Sequence, residues 1–218
     1  MQFSVLSTLA LVSVGLAANA PIQTDSAGQP PLIARFTPRA TFNITGSVAF
    51  HPLTNGSVHV AVDLKGLPAS GGPFPYHIHE KPVPANGNCT GTSGHLNPFN
   101  GSTTATTPAA KEVGDLAGRH GNITSQSFSV EYVDEFLSLN PHSKAYIGGL
   151  SIVVHSNDNA RLTCANITAL NSTTTSSNDT HAGHASSSAV PAANGAAGMQ
   201  LEMGTLMALG GAALALLI

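Results

Sequence analysis

The stretch Ser57-Val58-His59-Val60-Ala61-Val62-Asp63-Leu64 decides the fold class. Val58, Val60, Val62 and Leu64 alternate with Ser57, His59, Ala61 and Asp63. A period of two puts one set on a buried face and the other toward solvent, the pattern of a half-buried strand. Working outward, Ala40–Phe50, Pro75–Glu80, Gln126–Tyr132, Ile147–Val154 and Arg161–Leu170 are also short, β-branched and bounded by Gly, Pro and Asn clusters. Leu64–Pro68 and Asn97-Pro98 carry turn chemistry. The one helix-like reading is a turn near Val133–Leu139. Many short strands with irregular connections predict an all-β antiparallel sandwich or barrel.

Only 9% of the residues are charged, and the formal net charge is −3. With no basic patch, nucleic acid is excluded as a partner class.

The chain ends point to secretion. Residues 3–18 are almost wholly apolar or small and lead into Ala18-Asn19-Ala20, so residues 1–20 read as a signal peptide cut after Ala20. Residues 21–38, rich in Pro, Gln and Gly, read as a loose leader. The folded part is then residues 39–170, one domain with one core. Residues 171–194, mostly Ser, Thr, Asn and Ala, hold too little apolar surface to fold and read as a glycosylated stalk. The apolar run Thr205–Ile218 has no basic flank and follows a spacer and the small-residue cluster Ala192–Gly198. That order is the signal for a GPI anchor on Asn194, with residues 195–218 removed. Sequons at Asn43, Asn55, Asn88, Asn100, Asn122, Asn166, Asn171 and Asn178 fit the same route. The two cysteines, Cys89 and Cys164, are expected to pair in an oxidising compartment. A surface or cell-wall location through a lipid anchor follows. The sequence does not set the oligomeric state, and a monomer is the working expectation.

Histidine placement carries the chemistry. His77 and His79 lie two apart in a predicted strand, so their imidazoles share a face. His95 sits in the turn Gly94-His95-Leu96-Asn97-Pro98, and His155 ends an apolar strand. A Cys89–Cys164 bond would tie the loop of His95 to the strand that begins at Arg161, six residues after His155. His51, His59 and His142 read as surface residues, and His120 falls in a loop with no metal role assigned. His181 and His184 lie in the stalk, where two ligands could hold copper only loosely.

The segments PYHIHE, CTGTSGHLNPFN, EVGDL, GGLSIVVH and ARLTC, in that order, resemble the Cu/Zn superoxide dismutases over residues 39–170. The resemblance implies an eight-stranded antiparallel Greek-key β-barrel, a sandwich-type architecture. It implies copper, one per chain, on His77, His79, His95 and His155. It further implies a structural Cys89–Cys164 disulfide, and Arg161 as the guide for the superoxide anion. Two departures matter. Residues 96–114 contain no histidine, Glu112 stands where a zinc ligand would be, and only Asp115 remains of the zinc set, so no zinc is expected. Only residues 156–160 separate His155 from Arg161, so the long electrostatic loop is missing. Both departures resemble the copper-only enzymes of fungal cell surfaces. The implied activity is dismutation of superoxide by Cu(II)/Cu(I) cycling; the alternative is a copper-buffering surface protein on the same fold. Without zinc, a carboxylate must hold the far nitrogen of His95. Asp115 and Glu112 are the candidates, with Asp115 preferred because it matches a family residue.

Overall fold

The computed structural model describes residues 19–171. The signal segment 1–18, the stalk beyond Asn171, Asn178, His181, His184, Asn194 and the terminal apolar run lie outside the described residues. No helix among the described residues is long and apolar enough to cross a membrane.

Seven strands form one antiparallel sheet: β1 Leu32–Phe36, β2 Thr45–Pro52, β3 Val58–Lys65, β4 Tyr76–His79, β5 Ser127–Asp134, β6 Ser151–His155 and β7 Arg161–Ala169. Their order is β4-β6-β7-β1-β2-β3-β5. The links β3–β4, β4–β5 and β5–β6 each cross the sheet, the crossovers of a Greek key. Curling brings the two edges together: the hydroxyls of Tyr76 on β4 and Tyr132 on β5 are 3.1 Å apart. The expected eighth strand is absent among the described residues. Just ahead of the two edge strands, Phe74 and Ile123 form an isolated bridge.

β3 follows its sequence pattern: Val58, Val60, Val62 and Leu64 are buried while Asp63 and Lys65 are exposed. They join Val48, Phe50, Tyr76, Ile78, Ile152 and Val154 in one core.

Two expectations are corrected. Residues 21–38 are not a loose leader. β1 pairs with both β2 and β7 and buries Leu32, Ile33, Ala34 and Phe36. Upstream, Asp25 accepts from Ser138 Oγ at 2.7 Å, and Ser26 Oγ accepts from the Leu139 amide at 3.0 Å. Ala20, read as the last signal residue, is itself buried, with its amide 2.6 Å from the Ala109 carbonyl. The helical turn near Val133–Leu139 is instead the end of β5, where Asp134 Oδ1 accepts from the amides of Phe136 and Leu137 at 2.8 and 3.1 Å. Among the described residues the one α-helix is the short α1, Leu116–His120, capped by Asp115.

Candidate metal centre

Alternation on two strands divides core from site. On β4, Tyr76 and Ile78 enter the core, so His77 and His79 face the other way. On β6, Ile152 and Val154 enter the core while Val153 packs on Cys89 and Cys164. His155, two residues past Val153, shares that outer face. All four residues of β4 and all five of β6 are buried because loops cover this face.

The chain around His95 is one of those covers. His79 and His95 form an isolated bridge, and Leu96 N donates to Ile78 O at 2.8 Å. Gly114 then donates to Leu96 O at 2.7 Å and its carbonyl accepts from Ile78 N at 2.9 Å. A Cβ on Gly114 would overlap the Ile78 carbonyl, so only glycine lets this strip lie so close. The strip delivers His95, Glu112 and Asp115 to the site together.

The ligand atoms of His77, His79, His95 and His155 lie within 4.8 Å of one another. Their tautomers follow from their partners. His79 Nδ1–H donates to Ser93 O at 2.9 Å, and His155 Nδ1–H donates to Asn159 O at 3.3 Å. Their Nε2 atoms therefore face each other as lone pairs, 3.2 Å apart. His77 Nε2 lies 3.5 Å from Asp115 Oδ1, and its Nδ1 is buried with no hydrogen-bond partner. His95 Nδ1 meets Glu112 Oε2 at 2.5 Å, leaving Nε2 toward the cluster. Burial first, then the neighbouring imidazoles, lowers His77 to about 2. Burial, partly offset by the bonds to Ser93 and Asn159, lowers His79 to about 3 and His155 to about 4. Neutral rings with facing lone pairs and an orphaned buried nitrogen repel or go unsatisfied on their own, and fit a cation. All-imidazole donors suit copper.

The carboxylate preference is corrected. Glu112, not Asp115, reaches His95; Asp115 lies against His77 and caps α1 by accepting from Gly118 N at 2.8 Å. Asp115 is drawn to β4 because it follows Gly114, whose bonds pin it there, while Glu112 lies on the other side of that strip. Asn97 Nδ2 steadies the second Glu112 oxygen at 3.3 Å.

Cys89 and Cys164 are bonded across a separation of 75 residues. Arg161 spans the loop that the disulfide anchors: Nη1 donates to Cys89 O at 2.6 Å and Thr92 Oγ1 at 2.9 Å, and Nη2 to Ser93 O at 2.6 Å. Thr92, Ser93 and Asn159 were not singled out in the sequence, and Asn97 only as a turn residue, since their contribution is mostly a carbonyl or an orienting bond. Of the other histidines, His51 and His59 pair across β2 and β3, His59 near Glu131 at 3.4 Å. His142 is exposed. His120 bonds Asp134 at 2.9 Å, away from the four.

A curled Greek-key sheet with imidazoles gathered on its outer face, beneath a disulfide-anchored loop and a half-buried arginine, defines a redox-metal enzyme of the dismutase type. The chain belongs to the copper/zinc superoxide dismutase family, whose pattern it matches over residues 44–205. It is 63% identical over 165 residues to Candida albicans cell surface superoxide dismutase 4, labelled Cu-Zn, covering 76% of this chain and 71% of that one. It is 58% identical over 165 residues to the cell surface Cu-only superoxide dismutase 5 of the same organism, covering 76% and 72%. The solved structure of Candida albicans superoxide dismutase 5 with Cu(II) superposes with a TM-score of 0.65 at 56% identity, over 70% of this chain and 99% of that one.

Proposed function

We propose that this superoxide dismutase works at the cell surface with copper alone, held by His77 Nδ1 and the Nε2 atoms of His79, His95 and His155. The observation that carries the reading is the Glu112–His95 contact: the outer nitrogen of His95, which a zinc would need, is taken by a carboxylate at 2.5 Å. The cell-surface names of both relatives support the location, as does the exposure of Asn43, Asn55, Asn88, Asn100, Asn122, Asn166 and Asn171. The anchor on Asn194 and use of the sequons belong to the same proposal.

Copper, when bound, supplies the one-electron couple for converting two superoxide anions and two protons to oxygen and hydrogen peroxide. The chain supplies the rest. Arg161 presents fixed positive charge to the anion, held on the loop beside His79. Asp115 and the Ser93 and Asn159 carbonyls orient the other rings. Glu112 keeps His95 turned so that Nε2, when it does not hold copper, can hold a proton and give it to the peroxide product. A buffering protein needs no anion guide, and Arg161 favours turnover.

The test is metal content and dismutation of the purified chain reconstituted with copper, with and without zinc. One copper per chain, no stoichiometric zinc and loss of activity in His95→Ala support the reading; stoichiometric zinc overturns it.

A further inference from the structure

Arg119 and Asp134 form a buried ion pair away from the four histidines, with side chains 2% and 0% exposed. Arg119 Nε and Nη2 both reach Asp134 Oδ2 at 2.9 Å. Asp134 also takes His120 Nε2 at 2.9 Å, and the amides of Phe136 and Leu137. The remaining Arg119 donors leave this cluster. Nη1 donates to Glu112 O and Nη2 to Val113 O, both at 2.6 Å.

A buried ion pair adds little net stability over an apolar replacement, and this one also ties the backbone at Glu112 and Val113. Glu112 belongs to no strand or helix; it lies between a 3-10 turn, Pro108–Ala110, and α1. No sheet ladder fixes the plane of its peptide; the Glu112 carbonyl accepts from the Asp115 amide at 3.0 Å and from Arg119 Nη1. The arginine fork adds the tie that a single turn bond lacks, because a rigid planar guanidinium can hold two successive carbonyls while a carboxylate fixes its own position. The Glu112 side chain that leaves this fixed backbone ends on His95 Nδ1.

We propose that Arg119, anchored by Asp134, is a positioning residue that sets the Glu112 carboxylate on His95. The inference rests on the Glu112 role given above. His120, stacked on Tyr132 at 3.8 Å, braces Asp134 from the other side and joins β5 to this device.

A double-mutant cycle on the full secreted chain tests it, using Glu112→Gln, Arg119→Met and the pair together. Turnover per bound copper is measured with the melting temperature, and the His95 Nδ1–H proton resonance is followed in the metal-free protein. Glu112→Gln and Arg119→Met are each expected to lower turnover per copper about tenfold. The double variant should be no slower than Glu112→Gln, and the His95 resonance should move in Arg119→Met. Losses that multiply, or a lower melting temperature with turnover per copper and the His95 resonance unchanged, overturn the inference. Should Arg119→Met not fold, Asp134→Asn takes its place in the cycle with the same expectations. If Glu112→Gln alone leaves turnover intact, the Glu112 role itself fails and there is nothing for Arg119 to position.

Discussion

His79 and Arg161 share one acceptor: Nδ1 of the imidazole and Nη2 of the guanidinium lie 2.9 and 2.6 Å from the Ser93 carbonyl oxygen. One backbone atom thus holds both a site imidazole and the charge offered to the substrate, tying the end of the Arg161 side chain to the ring of His79. Arg161→Gln is expected to lower kcat/KM by roughly tenfold and to flatten its dependence on ionic strength. Arg161→Lys keeps the charge but not the fork, so its salt dependence should persist while the absolute rate falls. Pulse radiolysis across a salt series reads both; a salt slope unchanged in Arg161→Gln would remove Arg161 from steering.

The loop that carries Ser93 begins at the disulfide, and Cys89 O itself accepts from Arg161 and from Thr92 Oγ1 at 2.7 Å. Removing the bond frees a closed loop of 75 residues in the unfolded chain. A Cys89→Ser/Cys164→Ser double variant is expected to lose about 4 kcal/mol of stability. Turnover per copper should fall as well, since the 89–93 loop would no longer be pinned under Arg161. Urea denaturation and copper-normalised activity measure the two effects. Full activity in the disulfide-free protein would mean that Arg161 alone orders the loop.

Asp115 does two jobs that substitution can separate. It caps α1 through Gly118 N and faces His77 Nε2. Asn is as good a cap as Asp, whereas Ala loses about 1 kcal/mol. Asp115→Ala should therefore melt earlier than Asp115→Asn. Both should bind copper more weakly than the parent, because the carboxylate that favours the Nε2–H tautomer of His77 is gone. Equal copper affinity in all three proteins would reduce Asp115 to a cap.

How far the sequence could be read depends on whether the deciding contact is local. β3 was legible because its alternation is complete within Val58–Leu64. The gathering of His77 and His79 followed from the same period. β1 was missed because Leu32–Phe36 offers only five residues after a Pro-rich stretch, and its burial comes from β2 and from β7, far along the chain. Residues 20–29 show no period at all; Asp25 and Ser26 are held by residues 113 positions away. The choice between Glu112 and Asp115 turned on how the strip through Gly114 lies against Ile78 and Leu96, a contact between distant segments that no local pattern displays. Arg119 was invisible for the same reason, since its partner Asp134 lies on another element.

Acid should unfold the metal-free protein early. His77, His79 and His155 fold with values of about 2, 3 and 4, against 6.5 when exposed. Between those limits the unfolded chain binds more protons than the folded one, so stability is full above about pH 6.5 and is lost as pH falls toward 4. Copper binding to the neutral rings should move the loss to lower pH. Urea midpoints from pH 7.5 to 4, with and without copper, test this. A metal-free midpoint that is flat over the range would contradict the burial of neutral imidazoles.

The mature chain is expected to retain Ala20. Its side chain is packed in the main core, and its amide donates to Ala109 O, three residues before Glu112. A signal cut after Ala20 would discard that contact. A cut before Asn19 instead keeps the contact and leaves the strand of chain leading to Asp25 and Ser26 anchored at its start. Intact mass or amino-terminal sequencing of the secreted protein separates the two. A mature terminus at Pro21 would show that the Ala20–Ala109 bond is dispensable, and the 105–110 segment should then exchange its amides faster than the rest of the fold.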